Sequence, residues 1–205
     1  MYGDEAEYFA KFPAYAERFQ AANSKNYFKI QVHKETGHLI GTFFAPAGLR
    51  RAHKSLREFI GIDGTYTASR FRMNLLIAGG TDANDETLPL AWALVPIENG
   101  AWWKWFLKRC KKAFKLTTIE GLVFMSDREK GLLRAMEEIF PEATSSYCCQ
   151  HIANNVQQRH GNKCRPLFWK CARAKTYEDF EAALKALREE SVGAWDYVKA
   201  IPYQT

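Results

Sequence analysis

Two apolar runs in this chain each break at an aspartate, and no other feature restricts its possible folds as strongly. The first is Phe59-Ile60-Gly61-Ile62-Asp63-Gly64-Thr65, and the second is Leu122-Val123-Phe124-Met125-Ser126-Asp127-Arg128. Short apolar runs bounded by Gly, Ser or Asp read as buried strands. A carboxylate at the end of such a strand is costly to hold unless something positive neutralises it. Two of them, on strands able to lie side by side, point to a divalent cation and chemistry on phosphate. Each also has a plainer local reading: Asp63-Gly64 is a hairpin-turn signal, and Asp127 is a candidate helix N-cap.

The surrounding pattern supplies an element order. Residues 4–22 predict an amphipathic helix with an aromatic stripe of Tyr8, Phe9, Phe12, Tyr15 and Phe19, broken by Pro13. Residues 27–32 and 39–44 are strand-like, and the basic segment 50–57 reads as helical. Residues 59–67, 71–81 and 87–97 predict an antiparallel meander with turn-rich joins such as Asp82-Ala83-Asn84-Asp85. A helix from Asn99 or Gly100 to Phe114 follows, then a fourth strand at 122–125, a helix over 128–140 and a fifth strand at 144–148. Three antiparallel strands followed by two helix-linked strands give the order of a ribonuclease-H-like α/β core. That core is a mixed five-stranded sheet with flanking helices, its fourth strand parallel to its first. Asp63 and Asp127 would then meet at strand ends, where open α/β sheets bind ligands. From Gln150 onward the pattern is helical only, with Thr176 and Ser191 as helix starts. The expected division is an N-terminal extension (1–57), the core (58–150) and a helical region (151–205).

The 205 residues are 47% hydrophobic, enough for one sizeable core and a small appendage. No apolar run approaches the roughly 18 residues of a membrane span. The acidic start, Met1-Tyr2-Gly3-Asp4-Glu5-Ala6-Glu7, lacks the apolar stretch of a secretory signal, so an intracellular protein is expected. Five cysteines without framework spacing read as reduced thiols. The formal charge of +6 favours a polyanionic partner. It is concentrated in Arg50-Arg51-Ala52-His53-Lys54-Ser55-Leu56-Arg57 and Lys108-Arg109-Cys110-Lys111-Lys112-Ala113-Phe114-Lys115. Such clusters neutralise nucleic-acid phosphates, but they also serve as solvated helix faces. Trp102, Trp103 and Trp105 cannot share one helix face. Most of them read as packed on the sheet, with base stacking by an exposed edge as the alternative.

Several strings, in order, resemble the Mutator-like element (MULE) transposases. They are Asp63-Gly64-Thr65-Tyr66, Leu88-Pro89-Leu90-Ala91-Trp92-Ala93-Leu94-Val95, Trp103-x-Trp105-Phe106, Ser126-Asp127-Arg128-Glu129-Lys130-Gly131, Phe140-Pro141-Glu142-Ala143 and Cys148-x-x-His151. The resemblance implies a DDE-type core in which two aspartates and a glutamate hold two magnesium or manganese ions. Asp63 matches the first acid and Asp127 the second. The implied reaction is hydrolysis at a transposon end, then attack of the freed 3′-hydroxyl on target DNA. Hard cations prefer carboxylate oxygens, and paired ions suit phosphoryl transfer. The resemblance also implies DNA as partner, a nuclear location and a homo-oligomer, with no role at a membrane. It places Cys148 and His151 near the active centre. Arg70, Arg72, Arg128 and Lys130 are candidate DNA contacts.

Two points stay open in the sequence. Cys148, His151, His160 and Cys164 form a C-x2-H-x8-H-x3-C arrangement that zinc would accept, although its central gap is short for a finger. The family's third acid lies beyond a helical insertion, in a stretch resembling Thr-x-Asn-x-x-Glu-Ser, and none occurs among these 205 residues. Glu178, Glu181, Glu189 and Glu190 read as solvent-facing helix. The expectation is therefore an incomplete, truncated active site whose isolated chain has little activity. A remnant or domesticated module that binds DNA or protein without cutting is the alternative.

Overall fold

The computed structural model describes residues 5–68, 71–117 and 120–202. Among them the chain forms eight α-helices and seven strands, in two compact units, Met1–Thr144 and Ser145–Thr205. The first unit begins with α1 (Glu5–Ala22), β1 (Tyr27–Val32), β2 (Leu39–Ala45) and α2 (Ala47–Ala52). The meander is β3 (Phe59–Tyr66), β4 (Asn74–Thr81) and β5 (Thr87–Val95). It is followed by α3 (Gly100–Phe114), β6 (Val123–Ser126) and α4 (Lys130–Ile139), and β7 (Thr144–Tyr147) starts at the last residue of this unit.

One mixed sheet runs in the order β1-β2-β5-β4-β3-β6-β7. The expected five-stranded sheet is thus extended at its β5 edge. β2 pairs antiparallel with β5 (Phe43 opposite Ala93), and β1 pairs antiparallel with β2. The parallel partner of β3 is β6, as the sequence predicts. Pro89 lacks a donor N–H, and a register shift opposite Ala78/Gly79 accommodates it inside a central strand. The segment 50–57 is only partly helical. α2 ends at Ala52, a 3-10 turn covers His53–Ser55, and Phe59 already belongs to β3.

Strand alternation decides which sheet face is buried. In β4, residues 74, 76, 78 and 80 are buried and their neighbours half-buried, the period of two expected of a pleated strand. Leu76, Leu90, Ala93 and Val95 form one core with Trp103, Phe106 and Leu107 of α3 and Leu132, Met136 and Ile139 of α4. Trp103 and Phe106 are fully buried, whereas Trp102 and Trp105 are half-buried and stack edge to face at 5.3 Å. The tryptophans therefore pack, and Gly41 leaves room for the Trp102 ring, which a Cβ there would meet at 2.8 Å. In α1, Phe19 packs on Phe28 and Phe44, with Tyr15 stacked on Phe19. The side chains of Tyr8 and Phe9 lie outside the described residues.

The second unit holds α5 (Cys149–His160), α6 (Cys164–Ala172), α7 (Tyr177–Glu190) and α8 (Val192–Lys199). These helices enclose their own core of Ile152, Val156, Phe168, Leu184, Leu187 and Val198. Thr176 and Ser191 cap α7 and α8, accepting from the amides of Asp179 and Ala194. No helix among the described residues is long and apolar enough to cross a membrane.

α3 and α4 approach most closely where two glycines face each other. A Cβ on Gly131 would lie 2.7 Å from the Gly100 backbone nitrogen, whereas one on Gly100 would meet Gly131 at an ordinary 3.5 Å. Alanine gains up to about 1 kcal/mol of helix propensity over glycine, while overpacking against an unyielding backbone costs about 1–3 kcal/mol. Gly131→Ala should therefore lower the urea midpoint, and Gly100→Ala should leave it unchanged or raise it. Equal effects of the two substitutions would refute the close contact.

Candidate active site

The two aspartates come together through the β3–β6 pairing. Ile62 is in register with Ser126, and Asp63 and Asp127 are the next residues on the two strands. Neighbouring strands lie about 4.8 Å apart, so the two aspartates follow directly on adjacent backbones. Asp63 sits within β3, paired with Ile77 of β4, which rules out the turn reading of Asp63-Gly64. Its Oδ1 accepts from the Gly64 amide at 2.9 Å. Asp127 lies just past the end of β6, where its Oδ1 accepts from the Glu129 amide at 3.2 Å. Glu129, and not Asp127, caps α4: its side chain accepts from the Leu132 amide at 2.6 Å.

A third acid enters from β5. Glu98 precedes Asn99, whose side chain caps α3 by accepting from the Trp102 amide at 3.0 Å. The Glu98 carboxyl fills the space beside Gly64 that a side chain would otherwise occupy, 2.9 Å from an ideal Cβ. Burial raises the Glu98 pKa, and the charges of Asp127, Glu129 and Asp63 add to the effect. The Trp103 indole opposes it through a weak interaction, since its buried Nε1 meets no acceptor at ordinary hydrogen-bond geometry. The sequence reading passed over Glu98. The signal was present, because Ala93-Leu94-Val95-Pro96-Ile97-Glu98 is a third apolar run ending in an acid.

The donor set suits magnesium or manganese, since all the acids offer hard oxygens. Among the described residues, however, no group of three or more His, Cys, Asp or Glu side chains is placed to hold one metal ion. Strand alternation explains this. Ile60, Ile62 and Gly64 share one face of β3, and Asp63 points to the other. Glu98 lies under Gly64, so it feels the charge of Asp63 from the opposite side of the strand.

Arg72 is exposed in the β3–β4 connection, and Arg70 lies outside the described residues. Arg128 is half-buried directly after Asp127, and Lys130 is the exposed first residue of α4. Four cations of the two basic clusters are engaged within the fold. Arg50 donates to the Ala113 and Lys25 carbonyls, and Arg57 pairs with Asp85 at 2.9 Å. Arg109 lies over the Trp105 ring, and Lys111 donates to the Ile139 carbonyl at 2.9 Å.

Cys148 and His151 belong to the second unit, where Cys148 precedes α5 and His151 lies in its first turn; both are half-buried. His151 and His160 are separated by nine residues of the same helix, a rise of about 13.5 Å. The four residues of the zinc arrangement therefore do not converge. Burial also pushes the Cys164 thiol pKa up, away from the thiolate that zinc requires, and Cys164 Sγ donates to the His160 carbonyl. Glu178, Glu181, Glu189 and Glu190 are all exposed on α7.

In comparison with known proteins, residues 59–155, just under half of the chain, match the MULE transposase domain. A 144-residue stretch, 70% of the chain, is 24% identical to Protein FAR1-RELATED SEQUENCE 6 of Arabidopsis thaliana and covers 20% of that protein. A 96-residue stretch, 46% of the chain, is 30% identical to the PKS-NRPS hybrid synthetase cheA of Chaetomium globosum and covers 2% of it. The chain thus spans a fifth or less of these relatives.

The pKa of Glu98 gives a signed prediction. Its folded pKa lies above the ordinary 4.5, so the native state binds more protons than the unfolded chain as pH rises past 4.5. Stability is lost across that rise and regained on acidification. Glu98→Gln removes the titration. The variant should melt above the wild type at neutral pH, with the gap closing as pH falls to about 4.5. A gap independent of pH would mean that charge crowding is not the cause.

Proposed function

We propose that this chain carries the core of a DDE-type transposase, a ribonuclease-H-like sheet that presents Asp63 and Asp127 to DNA phosphate. The observation that supports this reading is that the two aspartates directly follow Ile62 and Ser126, the last in-register pair of the parallel strands β3 and β6, within the segment matching the family. In this reading Asp63 and Asp127 are metal-binding acids, and magnesium or manganese, when bound, would polarise the phosphodiester. Arg72, Arg128 and Lys130 contact the DNA backbone. The working division is an N-terminal extension, a core and a helical insertion, acting as a homo-oligomer in the nucleus.

These 205 residues supply two of the three acids on this reading, and no cleavage step is assigned to them alone. Two carboxylates hold a hard cation poorly, because such ions take about six oxygen ligands in a close shell. A second reading is a module that binds DNA without cutting it.

A supercoiled-plasmid nicking assay in magnesium or manganese separates the two. The 205-residue chain should nick at background level while binding duplex DNA with a steep salt dependence. Asp63→Ala and Asp127→Ala should leave that binding within about twofold, or strengthen it slightly by removing negative charge. Robust nicking abolished by either substitution would show a complete active site and overturn the two-acid account. Absence of DNA binding would overturn both readings.

A further inference from the structure

The second unit contains a groove that the acidic centre does not explain. Its volume is about 840 Å³, and it runs between α6 and α7. Trp169, Ala182, Ala183 and Ala186 give it an apolar floor, and Lys170, Arg173 and Lys175 line it with positive charge. All three cations are exposed, and none makes an ion pair among the described residues. The lining acid, Asp179, is tied into the cap of α7, where its Oδ2 accepts from the Thr176 hydroxyl at 2.8 Å.

We propose that this groove docks an acidic amphipathic helix of a partner protein. Three observations select that occupant. First, the cationic rim requires a ligand rich in carboxylate or phosphate. Second, the apolar floor rewards apolar side chains, which a duplex backbone does not supply. Third, the Arg173 guanidinium lies 4.8 Å over the Trp169 ring, so the face on which an unpaired base would stack is taken. A helix with apolar residues at i, i+3, i+4 and i+7 and acids along its flanks meets both demands. The 14-residue α7, about 21 Å long, gives such a helix several turns to pack against.

The test uses the 205-residue chain and a fluorescein-labelled peptide of about 18 residues, with Leu at helical spacing and Glu on the flanks. A scrambled peptide of the same composition and a 20-base-pair duplex are controls. The peptide should bind, and the scrambled peptide should bind at least about tenfold more weakly, since register carries the contact. Lys170→Glu with Arg173→Glu should weaken peptide binding about tenfold or more, and replacing Glu by Lys in the peptide should restore it. Ala182→Trp, at an exposed position that fills the groove, should weaken binding without altering the circular dichroism spectrum. Failure to bind, or binding that ignores these variants, would overturn the proposal. So would loss of duplex binding with peptide binding unchanged, which would make the groove a phosphate surface. Neither result depends on Asp63 or Asp127.

Discussion

The parallel pairing of β3 with β6 is the constraint on which the acidic centre depends. A parallel neighbour requires a crossover, and α3 supplies it between β5 and β6. For α3 to turn back over the sheet, it must start soon after β5 ends, which places Glu98 beside the end of β3. α4 must then leave β6 close to the start of α3, and the Gly100–Gly131 contact permits that approach. The same contact draws Glu98, Asp127 and Glu129 into one neighbourhood. Their repulsion is sustained by the core behind them, where Trp103, Phe106 and Leu132 are fully buried. Each such side chain contributes about 1.5–3 kcal/mol on burial, more than an exposed like-charge contact removes.

Much of this fold was legible in the sequence because its elements carry strong local signals. The period-two runs of β3 to β5, the Asn99 cap and the Thr176 and Ser191 starts are read from a few adjacent residues. The sheet's full width was not legible in the same way. The pairing of β2 with β5 joins residues about fifty positions apart, and no local pattern distinguishes it from a separate hairpin. The start of α4 was misread for a related reason. Asp127 is a better capping residue by type, but its Oδ1 meets the Glu129 amide, and Glu129 takes the cap. Propensity describes what a residue does alone, and here a neighbour two residues away decides.

The aspartates illustrate the same distinction at the site. That Asp63 and Asp127 follow the last paired residues of two adjacent parallel strands is in line with run lengths and crossover rules, although β3 continues past Asp63 to Tyr66. Which face each carboxylate occupies follows from strand parity, and this separates Asp63 from Glu98 although both lie beside Gly64. Electrostatic proximity is therefore not coordination geometry. Charges act through several ångströms and from any direction, whereas a hard cation demands oxygens converging on one point. The raised pKa of Glu98 records the first condition only.

Net charge is an equally coarse guide until the cations are located. The formal +6 is concentrated in two sequence clusters, yet Arg50, Arg57, Arg109 and Lys111 are held by carbonyls, a carboxylate or an aromatic ring. Such contacts anchor the guanidinium and ammonium groups, and each must be broken before that group can reorient toward a phosphate. The exposed cations that line a groove are Lys170, Arg173 and Lys175, which lie in neither cluster, and of these Arg173 also rests over a ring, that of Trp169. The first unit gathers carboxylates that call for a cation, and the second presents cations around an apolar floor. A single charge total conceals both, because opposite local charges cancel in the sum.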